Sequence, residues 1–175
     1  MSVVSPNDNI QIALRFENIS FCFAKIVASH ETGSKMVAMK FSLLHHTDWT
    51  GHDDHFDLVL QTASGHDDND TVLKTFSMPS NDCPTGIMIA AVGAVMRLEP
   101  RPDHRRLYLD YEGPVSNGRG IIRRVDTGAL IWKAGSPDQD EKSFRFELQG
   151  MFMNGCFLIQ QDDLHQWFIS KVTGF

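Results

Sequence analysis

Apolar and polar residues alternate along most of this chain, in short runs separated by turns rich in glycine, proline and aspartate. The run HFDLVLQ, residues 55–61, places a phenylalanine and two leucines on one face of an extended chain, with His55 and Asp57 on the other. A period of two predicts a strand with one buried face. We therefore expect the apolar face to contact the core, and His55 and Asp57 to lie together on the opposite face.

The same composition and period predict strands along the rest of the chain. They cover residues 10–16, 19–27, 36–44, 72–78, 107–112, 121–125, 129–132, 144–148, 153–160 and 167–172. The apolar run at 87–98 fits a helix or a buried strand, and its glycine and β-branched residues favour a strand. Many short strands without a long amphipathic helix predict an all-β fold, a compact antiparallel β-barrel that is closed or nearly closed.

A length of 175 residues fits a single well-buried domain. Met36 and Met39 each precede a credible domain start, so we interpret residues 1–35 as an N-terminal extension and residues 36–175 as the barrel domain. The N-terminus lacks the basic and apolar segments of a signal peptide. Because no apolar run approaches the roughly 20 residues of a membrane span, we expect a cytoplasmic protein with no membrane partner.

Charge is distributed unevenly along the chain, whose formal net charge is −6. Seven of the nine arginines and four acids fall within residues 97–124, which therefore carry +3 and leave −9 for the rest. Such a local arginine field on an acidic body favours a specific phosphate-bearing ligand over indiscriminate nucleic-acid binding. The alternative is that these arginines alternate along solvated strand faces and pair with acids.

A metal site is the chemistry that the histidines suggest. His46, His55 and Asp57 converge if the strand before the turn TDWTGHDD lies beside the strand after it. Two imidazoles and a carboxylate suit a divalent transition metal, and a mixed nitrogen and oxygen shell fits Mn²⁺ as well as Zn²⁺. His45 and His52 are competing candidate ligands, and histidines near aspartates are also common on protein surfaces.

A second group of candidate residues begins at His104, between Asp103 and a pair of arginines. This histidine can polarise a phosphate or act as a general acid, or it can be a capped loop residue. The following glycine-rich turn, residues 113–120, lacks the G-K-[ST] ending of a phosphate-binding loop and opens onto a strand. Nearby aromatic residues, including Trp49 and Tyr108, can stack on a base or ribose if they are exposed.

Five segments of the chain resemble, in order, the 3′-phosphoesterase module of bacterial DNA ligase D. They are HFDLVL, LKTFSMP, DHRRLYLDYEG with its following glycine turn, FRFELQGMFMNGCFLI and the terminal WFISK. The chain is most similar to short stand-alone relatives of that module, over about residues 36–172. The resemblance implies a compact β-barrel that uses Mn²⁺ to remove 3′-terminal ribonucleotides and 3′-phosphates from DNA ends during repair, and the donor set leaves Zn²⁺ or another divalent ion as the alternative.

The resemblance also implies roles for individual residues. His55 and Asp57 stand where the module has two metal ligands, and His46 is the match for the third, although its spacing to His55 is longer here. His104 stands where the family has a catalytic histidine, and Tyr108 matches an active-site tyrosine. These are residues that charge and spacing had already distinguished.

The chain departs from the module at several positions. Val59 stands where the module has an arginine, and Gln61 where it has a glutamate. The module's N-terminal arginine, aspartate and glutamate have no match in residues 1–35. Because these groups contact the scissile phosphate or support the phosphomonoesterase step, removal of 3′-phosphates is the weaker expectation.

The predicted function is a metal-dependent phosphoesterase acting on DNA 3′ ends or primer–templates, beside a DNA ligase or polymerase. Arg97 or Arg101 is expected to replace the lost phosphate contact, with Arg105 and Arg106 as further phosphate or DNA contacts. The alternative is a non-catalytic barrel that binds DNA ends or a repair partner. The departures from the module favour the binding barrel, and the retained histidines favour the enzyme.

Overall fold

The computed structural model describes residues 39–79, 92–134 and 142–174. In these ranges the chain forms nine strands and two short 3₁₀ helices, η1 (Arg106–Leu109) and η2 (Ser116–Gly118). The strands are β1 (Met39–Thr47), β2 (His55–Gln61), β3 (Thr71–Pro79), β4 (Val95–Arg105), β5 (Gly113–Pro114), β6 (Ile121–Ala134), β7 (Ser143–Gln149), β8 (Asn154–Gln161) and β9 (Trp167–Val172). The predicted extension and its two strands lie outside the described residues.

The strands form one antiparallel sheet that closes on itself. Their order is β1-β2-β3-β4-β9-β8-β7-β6, and β6 pairs back onto β1, so eight strands form a ring. The two-residue strand β5 pairs with the first residues of β6 and is not part of the ring. The predicted all-β fold and nearly closed antiparallel barrel are therefore confirmed.

One apolar cluster fills the ring. Its buried members come from all eight strands of the ring and from the β7–β8 turn, which identifies the cluster as the barrel interior. They are Phe41, Leu43, Leu58, Leu60, Phe76, Met78, Leu98, Leu130, Phe144, Phe146, Leu148, Met153, Phe157, Ile159 and Ile169. Burying a large apolar side chain contributes about 1.5–3 kcal/mol, so this interior supplies the main driving force for folding.

A smaller apolar cluster covers the outward face of the first three strands. Leu44, Val59 and Leu73 on those strands pack against Leu109, Val115 and Ile122. Leu109 and Val115 come from the segment between β4 and β6, which folds over the outside of the barrel, and Ile122 lies at the start of β6. The first three strands are therefore covered on both faces, and the polar residues of the outward face are enclosed rather than solvated.

Residues 107–112 were predicted as a strand, and this prediction is wrong. They form part of η1 and the turn after it, in which the backbone N–H groups of Asp110 and Tyr111 donate to the Leu107 carbonyl at 3.1 and 3.0 Å. Leu109 is buried in the outer cluster. The apolar alternation that suggested a strand therefore reflects packing of a short helical turn onto the barrel.

Residues 121–125 and 129–132 were predicted as two strands but belong to the single strand β6. The glycine between them permits close strand packing instead of a turn, because a Cβ at Gly128 would lie 2.1 Å from the Gln149 carbonyl oxygen. The neighbouring Asp126 carboxylate accepts backbone N–H groups from Thr127 and from the β7–β8 turn. Asp126 and Gly128, residue types that are common in turns, here connect β6 to β7 and to the β7–β8 turn.

The other predicted strands match the described ones with small shifts. The strand at 55–61 is confirmed, while β1 runs past its predicted end to Thr47 and β4 continues to Arg105. Of the ambiguous run at 87–98, residues 95–98 lie in β4, as the preference for a strand predicted, whereas residues 92–94 precede the strand in a turn. Within the described ranges, neither 3₁₀ helix is long or apolar enough to cross a lipid bilayer.

Candidate metal centre and its pocket

Strand register brings the three predicted metal ligands together. In the antiparallel pair of β1 and β2, His46 lies opposite His55, and Leu44 lies opposite Asp57. The turn between the strands returns the chain beside itself, as the prediction required. Because His55 and Asp57 are two residues apart in a strand, they point to the same face, which is the outward face opposite the barrel interior.

The donor atoms of these three residues lie close enough to hold one divalent ion. One nitrogen or oxygen from each residue lies within 4.8 Å of the others. The Asp57 Oδ2 atom is 3.9 Å from His46 Nδ1 and 3.6 Å from His55 Nε2. Donors placed tetrahedrally about 2.1 Å from an ion lie about 3.4 Å apart, so the observed separations are close to those of a metal shell.

Hydrogen bonds to backbone carbonyls set the tautomer of each histidine. His46 Nε2 donates to the Arg119 carbonyl at 2.5 Å, and His55 Nδ1 donates to the Asp53 carbonyl at 2.9 Å. In the neutral rings, the other nitrogens, His46 Nδ1 and His55 Nε2, carry the lone pairs and face Asp57. Metal-binding histidines commonly use their second N–H in this way, because it fixes the ring and raises its basicity.

The Asp57 carboxylate is ionised and attracts a proton to His55. Burial of Asp57 raises its pKa, but hydrogen bonds from His55 and Ser77 outweigh burial and hold that pKa below its ordinary value. The interaction with Asp57 raises the pKa of His55, against an opposing effect of burial. A metal ion would therefore compete with a proton for His55.

A pocket of about 480 Å³ opens over the three ligands. Four other predicted site residues line it, namely Arg101, Arg105, His104 and Tyr108. The remaining lining residues are Leu44, Trp49, Pro102, Asp103, Val115, Arg119 and Ile122. Candidate metal ligands and candidate phosphate-binding residues, far apart in sequence, thus share one cavity.

Two of the predicted phosphate-binding arginines do not line this pocket. Arg106 forms an ion pair with Asp68 at 2.8 Å, and Arg97 lies further along β4, opposite Phe168 of β9. Arg124, also in the arginine-rich segment, pairs with Asp110 at 3.4 Å. Pairing with acids, the alternative considered for this segment, therefore applies to some of its arginines.

His104 and Tyr108 lie next to each other at the end of β4 and in η1. His104 Nδ1 donates to the Pro102 carbonyl at 2.8 Å, which leaves Nε2 to exchange a proton. The two rings meet edge to face with centroids 5.2 Å apart, and the Arg105 guanidinium carbon lies 5.7 Å from the Tyr108 ring centroid. These ring contacts hold His104 and Tyr108 side by side in the pocket wall.

The competing histidines lie outside the group of three. His45 stacks on Phe56 with ring centroids 4.3 Å apart, because it points to the other face of β1. The His52 ring packs at a tilt against Trp49 with ring centroids 4.0 Å apart, and Trp49 in turn stacks on His46 with centroids 5.1 Å apart. Neither His45 nor His52 therefore contributes to the candidate metal centre.

Three residues at the site were missed by sequence reasoning. Ser77 donates its hydroxyl to Asp57 Oδ1 at 2.6 Å, and Arg119 acts through its backbone carbonyl. Gly120 has φ +85°, and a Cβ there would lie 2.2 Å from the Thr47 carbonyl oxygen. Ser77 can be found only once the register of β2 and β3 is known, which places it opposite Asp57. The hydrogen bond to the Arg119 carbonyl and the close contact at Gly120 depend on backbone position, which leaves no signal in the local sequence.

Two of the departures from the ligase module, Val59 and Gln61, fall within the described residues, and both belong to the barrel wall. Val59 is fully buried in the outer apolar cluster. Gln61 donates to the Ala63 carbonyl at 2.9 Å and accepts the Lys40 N–H at 3.0 Å. Both positions therefore contribute to the barrel wall beside the pocket.

Together, the fold and the site define an antiparallel β-barrel with a candidate divalent-metal centre in an arginine-lined pocket. No protein-family model matches the chain, and no curated protein matches it either. The resemblance to the 3′-phosphoesterase module of DNA ligase D accordingly stays a prediction.

Proposed function

We propose that this chain is a metal-dependent phosphoesterase that removes ribonucleotides from the 3′ ends of DNA. The proposal rests on one observation. The candidate metal ligands His46, His55 and Asp57 line the same pocket as several arginines and His104. A divalent ion held by the three ligands, proposed to be Mn²⁺ with Zn²⁺ as the alternative, would supply Lewis-acid polarisation of a phosphate oxygen.

Arginine side chains would bind the phosphate. Arg101, Arg105 and Arg119 all line the pocket, and guanidinium groups donate several hydrogen bonds to phosphate oxygens. We propose Arg101 rather than Arg97 as the replacement for the phosphate contact that Val59 cannot make. Donors fixed in place before the reaction would also stabilise the charge that develops on the phosphate.

His104 would move a proton during the reaction. Its Nδ1–H is committed to the Pro102 carbonyl, so Nε2 is the atom that would accept or return a proton at a substrate oxygen. Tyr108, in contact with the His104 ring, would position the sugar or base of the terminal nucleotide. A water molecule would attack the phosphate that joins this nucleotide to the primer and give up a proton. The bond from phosphorus to the nucleoside 5′-oxygen would break, so that the nucleoside leaves with a protonated 5′-oxygen and a 3′-phosphate stays on the primer.

The substrate class follows from pocket size and charge. A cavity of about 480 Å³ falls in the size range of sites for small ligands and would admit a chain end rather than a duplex. The acidic remainder of the chain disfavours general binding to polyanions. We therefore propose a 3′-terminal ribonucleotide as the substrate, 3′-phosphate as a weaker one, and a DNA ligase or polymerase as the enzyme that uses the trimmed end.

The test is a gel assay on a 5′-labelled primer–template that ends in one 3′-ribonucleotide. Shortening is expected with Mn²⁺, little or none with chelator, and none for His55→Ala. His45→Ala is the matched control, because it removes the adjacent imidazole on the opposite face of β1 and should retain activity. A 3′-phosphate product that persists would show that the phosphomonoesterase step is absent.

A second candidate function is a non-catalytic barrel that binds DNA ends. It is favoured by Val59, which is committed to apolar packing where the ligase module has an arginine. In the same assay, no shortening with Mn²⁺, Mg²⁺ or Zn²⁺, together with retained binding to the primer end, would reject the enzyme and support the binding barrel. That binding should weaken steeply with salt if several arginines contact phosphates.

A further inference from the structure

Ser77 lies between the candidate metal centre and the arginine side of the pocket. Strand register places it opposite Asp57, on the same outward face, and it is 2% exposed. Its Oγ atom is 2.6 Å from Asp57 Oδ1 and 2.6 Å from Arg101 Nε. One buried hydroxyl therefore contacts both a candidate metal ligand and a candidate phosphate-binding residue.

The direction of these two hydrogen bonds is determined by chemistry. A guanidinium group can only donate, and an ionised carboxylate can only accept. The Ser77 hydroxyl must therefore accept from Arg101 and donate its single proton to Asp57. The result is a directed chain of hydrogen bonds from Arg101 through Ser77 to Asp57.

These hydrogen bonds fix the orientation of the Asp57 carboxylate. Because Oδ1 is engaged by Ser77, Oδ2 is the oxygen that faces the histidines, 3.9 Å from His46 Nδ1 and 3.6 Å from His55 Nε2. Arg101 is held in turn, since its Nη2 donates to Glu99 at 3.3 Å while its Nε donates to Ser77. Asp57 and Arg101, at the two ends of the hydrogen-bond chain, are thereby oriented before any ligand binds.

We propose that Ser77 is a positioning residue that aims Asp57 Oδ2 at the metal and couples the metal centre to Arg101. This inference rests on the metal centre of the proposed function. Hydrogen-bond partners of metal ligands typically contribute about 10–100-fold to metal affinity. Ser77 would have this role without contacting the ion itself.

The test measures Mn²⁺ affinity by isothermal titration calorimetry on the full chain. Ser77→Ala is expected to weaken Mn²⁺ binding about 10–100-fold. Arg101→Lys keeps the positive charge but replaces Nε by a methylene, so it should weaken binding roughly tenfold. The double variant should bind about as weakly as Ser77→Ala alone, because Arg101 acts on Asp57 through Ser77.

Thr75→Val is the matched control. Thr75 is fully buried, lies on the same face of β3, and donates its hydroxyl to the Leu73 carbonyl at 3.2 Å, away from the metal ligands. Loss of this hydroxyl should lower the melting temperature but leave Mn²⁺ affinity unchanged. A purely structural role for Ser77 would give the same result for Ser77→Ala.

Specific outcomes would overturn the inference. Mn²⁺ affinity of Ser77→Ala within about twofold of the unaltered chain, or affinity losses that add in the double variant, would reject it. Arg101 is exposed, so Arg101→Lys should fold even if Ser77→Ala does not, and unchanged affinity in that variant would reject it too. Expected affinity losses without cleavage of the ribonucleotide-ended primer would reject the proposed function and leave the role of Ser77 standing.

Discussion

Two backbone carbonyl groups decide which nitrogen each histidine offers at the candidate metal centre. The Arg119 carbonyl accepts a hydrogen bond from His46 Nε2–H, and the Asp53 carbonyl accepts one from His55 Nδ1–H. The lone pairs that remain both face Asp57. At the scale of single residues, the site is thus defined by hydrogen-bond partners as much as by the three side chains.

Removal of His55 should change the pH dependence of stability. Its pKa in the folded, metal-free chain is raised above the ordinary value of 6.5. The stability that its protonation contributes is therefore complete below about pH 6.5 and is lost as pH rises through the raised pKa. Urea unfolding in the presence of chelator measures the free energy of unfolding of the unaltered chain and of His55→Ala. The difference between the two free energies should shrink as pH rises from about 5.5 to about 8.5.

Metal binding should have the opposite pH dependence. An ion must displace the proton from His55, so Mn²⁺ affinity should increase over the same pH range. A stability difference in chelator that grows with pH would contradict the assigned His55–Asp57 interaction. His45→Ala, which leaves the pair intact, should show the pH profile of the unaltered chain.

At the scale of elements, the segment between β4 and β6 completes the site that β1 and β2 begin. It carries η1 with Tyr108, and the Arg119 carbonyl that binds His46. It also supplies the apolar residues that seal the outer cluster. Close contact between this segment and the end of β1 depends on Gly120, where a side chain would overlap the Thr47 carbonyl.

Gly120→Ala should therefore displace the Arg119 carbonyl and weaken Mn²⁺ binding about tenfold, as expected for loss of a partner of a metal ligand. Gly118→Ala is the matched control. Gly118 has φ +66° in the same loop, but a Cβ there meets nothing within 4 Å. Both variants should lose about 1 kcal/mol of stability to left-handed backbone strain, and equal Mn²⁺ affinities in the two would contradict this account.

Sequence pattern predicts elements well where one face contacts the barrel interior. The strand at 55–61 was predicted to the residue because its leucines are buried in that interior and its histidine and aspartate are not. The prediction for 107–112 was wrong because the same alternation arises when a helical turn packs onto the outer face. Ser77 was missed because its contact with Asp57 depends on the pairing of strands, which a local pattern does not encode.

Candidate arginines show the same limit. Arg97 and Arg101 are equivalent by pattern, since both are exposed residues on one face of β4. Arg101 lies where β4 pairs with β3 beside the metal ligands, whereas Arg97 lies where β4 pairs with β9. Arg101 and Arg97 therefore differ only in their position along β4, which neither residue type nor periodicity reveals.

At the scale of the whole molecule, an ion at the centre would join β1 to β2 and so oppose unfolding of the barrel. Binding to the folded chain alone contributes about 2.7 kcal/mol when the free ion is at 100 times its dissociation constant. For a chain of this size that corresponds to an increase of roughly 5–10 °C in melting temperature.

Thermal unfolding with Mn²⁺ and with chelator measures this effect. His55→Ala should show no increase in melting temperature with Mn²⁺, and His45→Ala should show the full increase. Equal increases in both variants would place the bound ion outside the group of His46, His55 and Asp57.

Strands β1–β3 divide their residues between an inward and an outward face, and this division has an evolutionary consequence. Folding depends mainly on residues that point into the barrel, whereas the candidate chemistry depends on alternate residues of the same strands that point outward. Substitutions on the outward face can therefore accumulate without dismantling the interior. A lineage with this architecture can lose, retune or replace its chemistry while the scaffold persists.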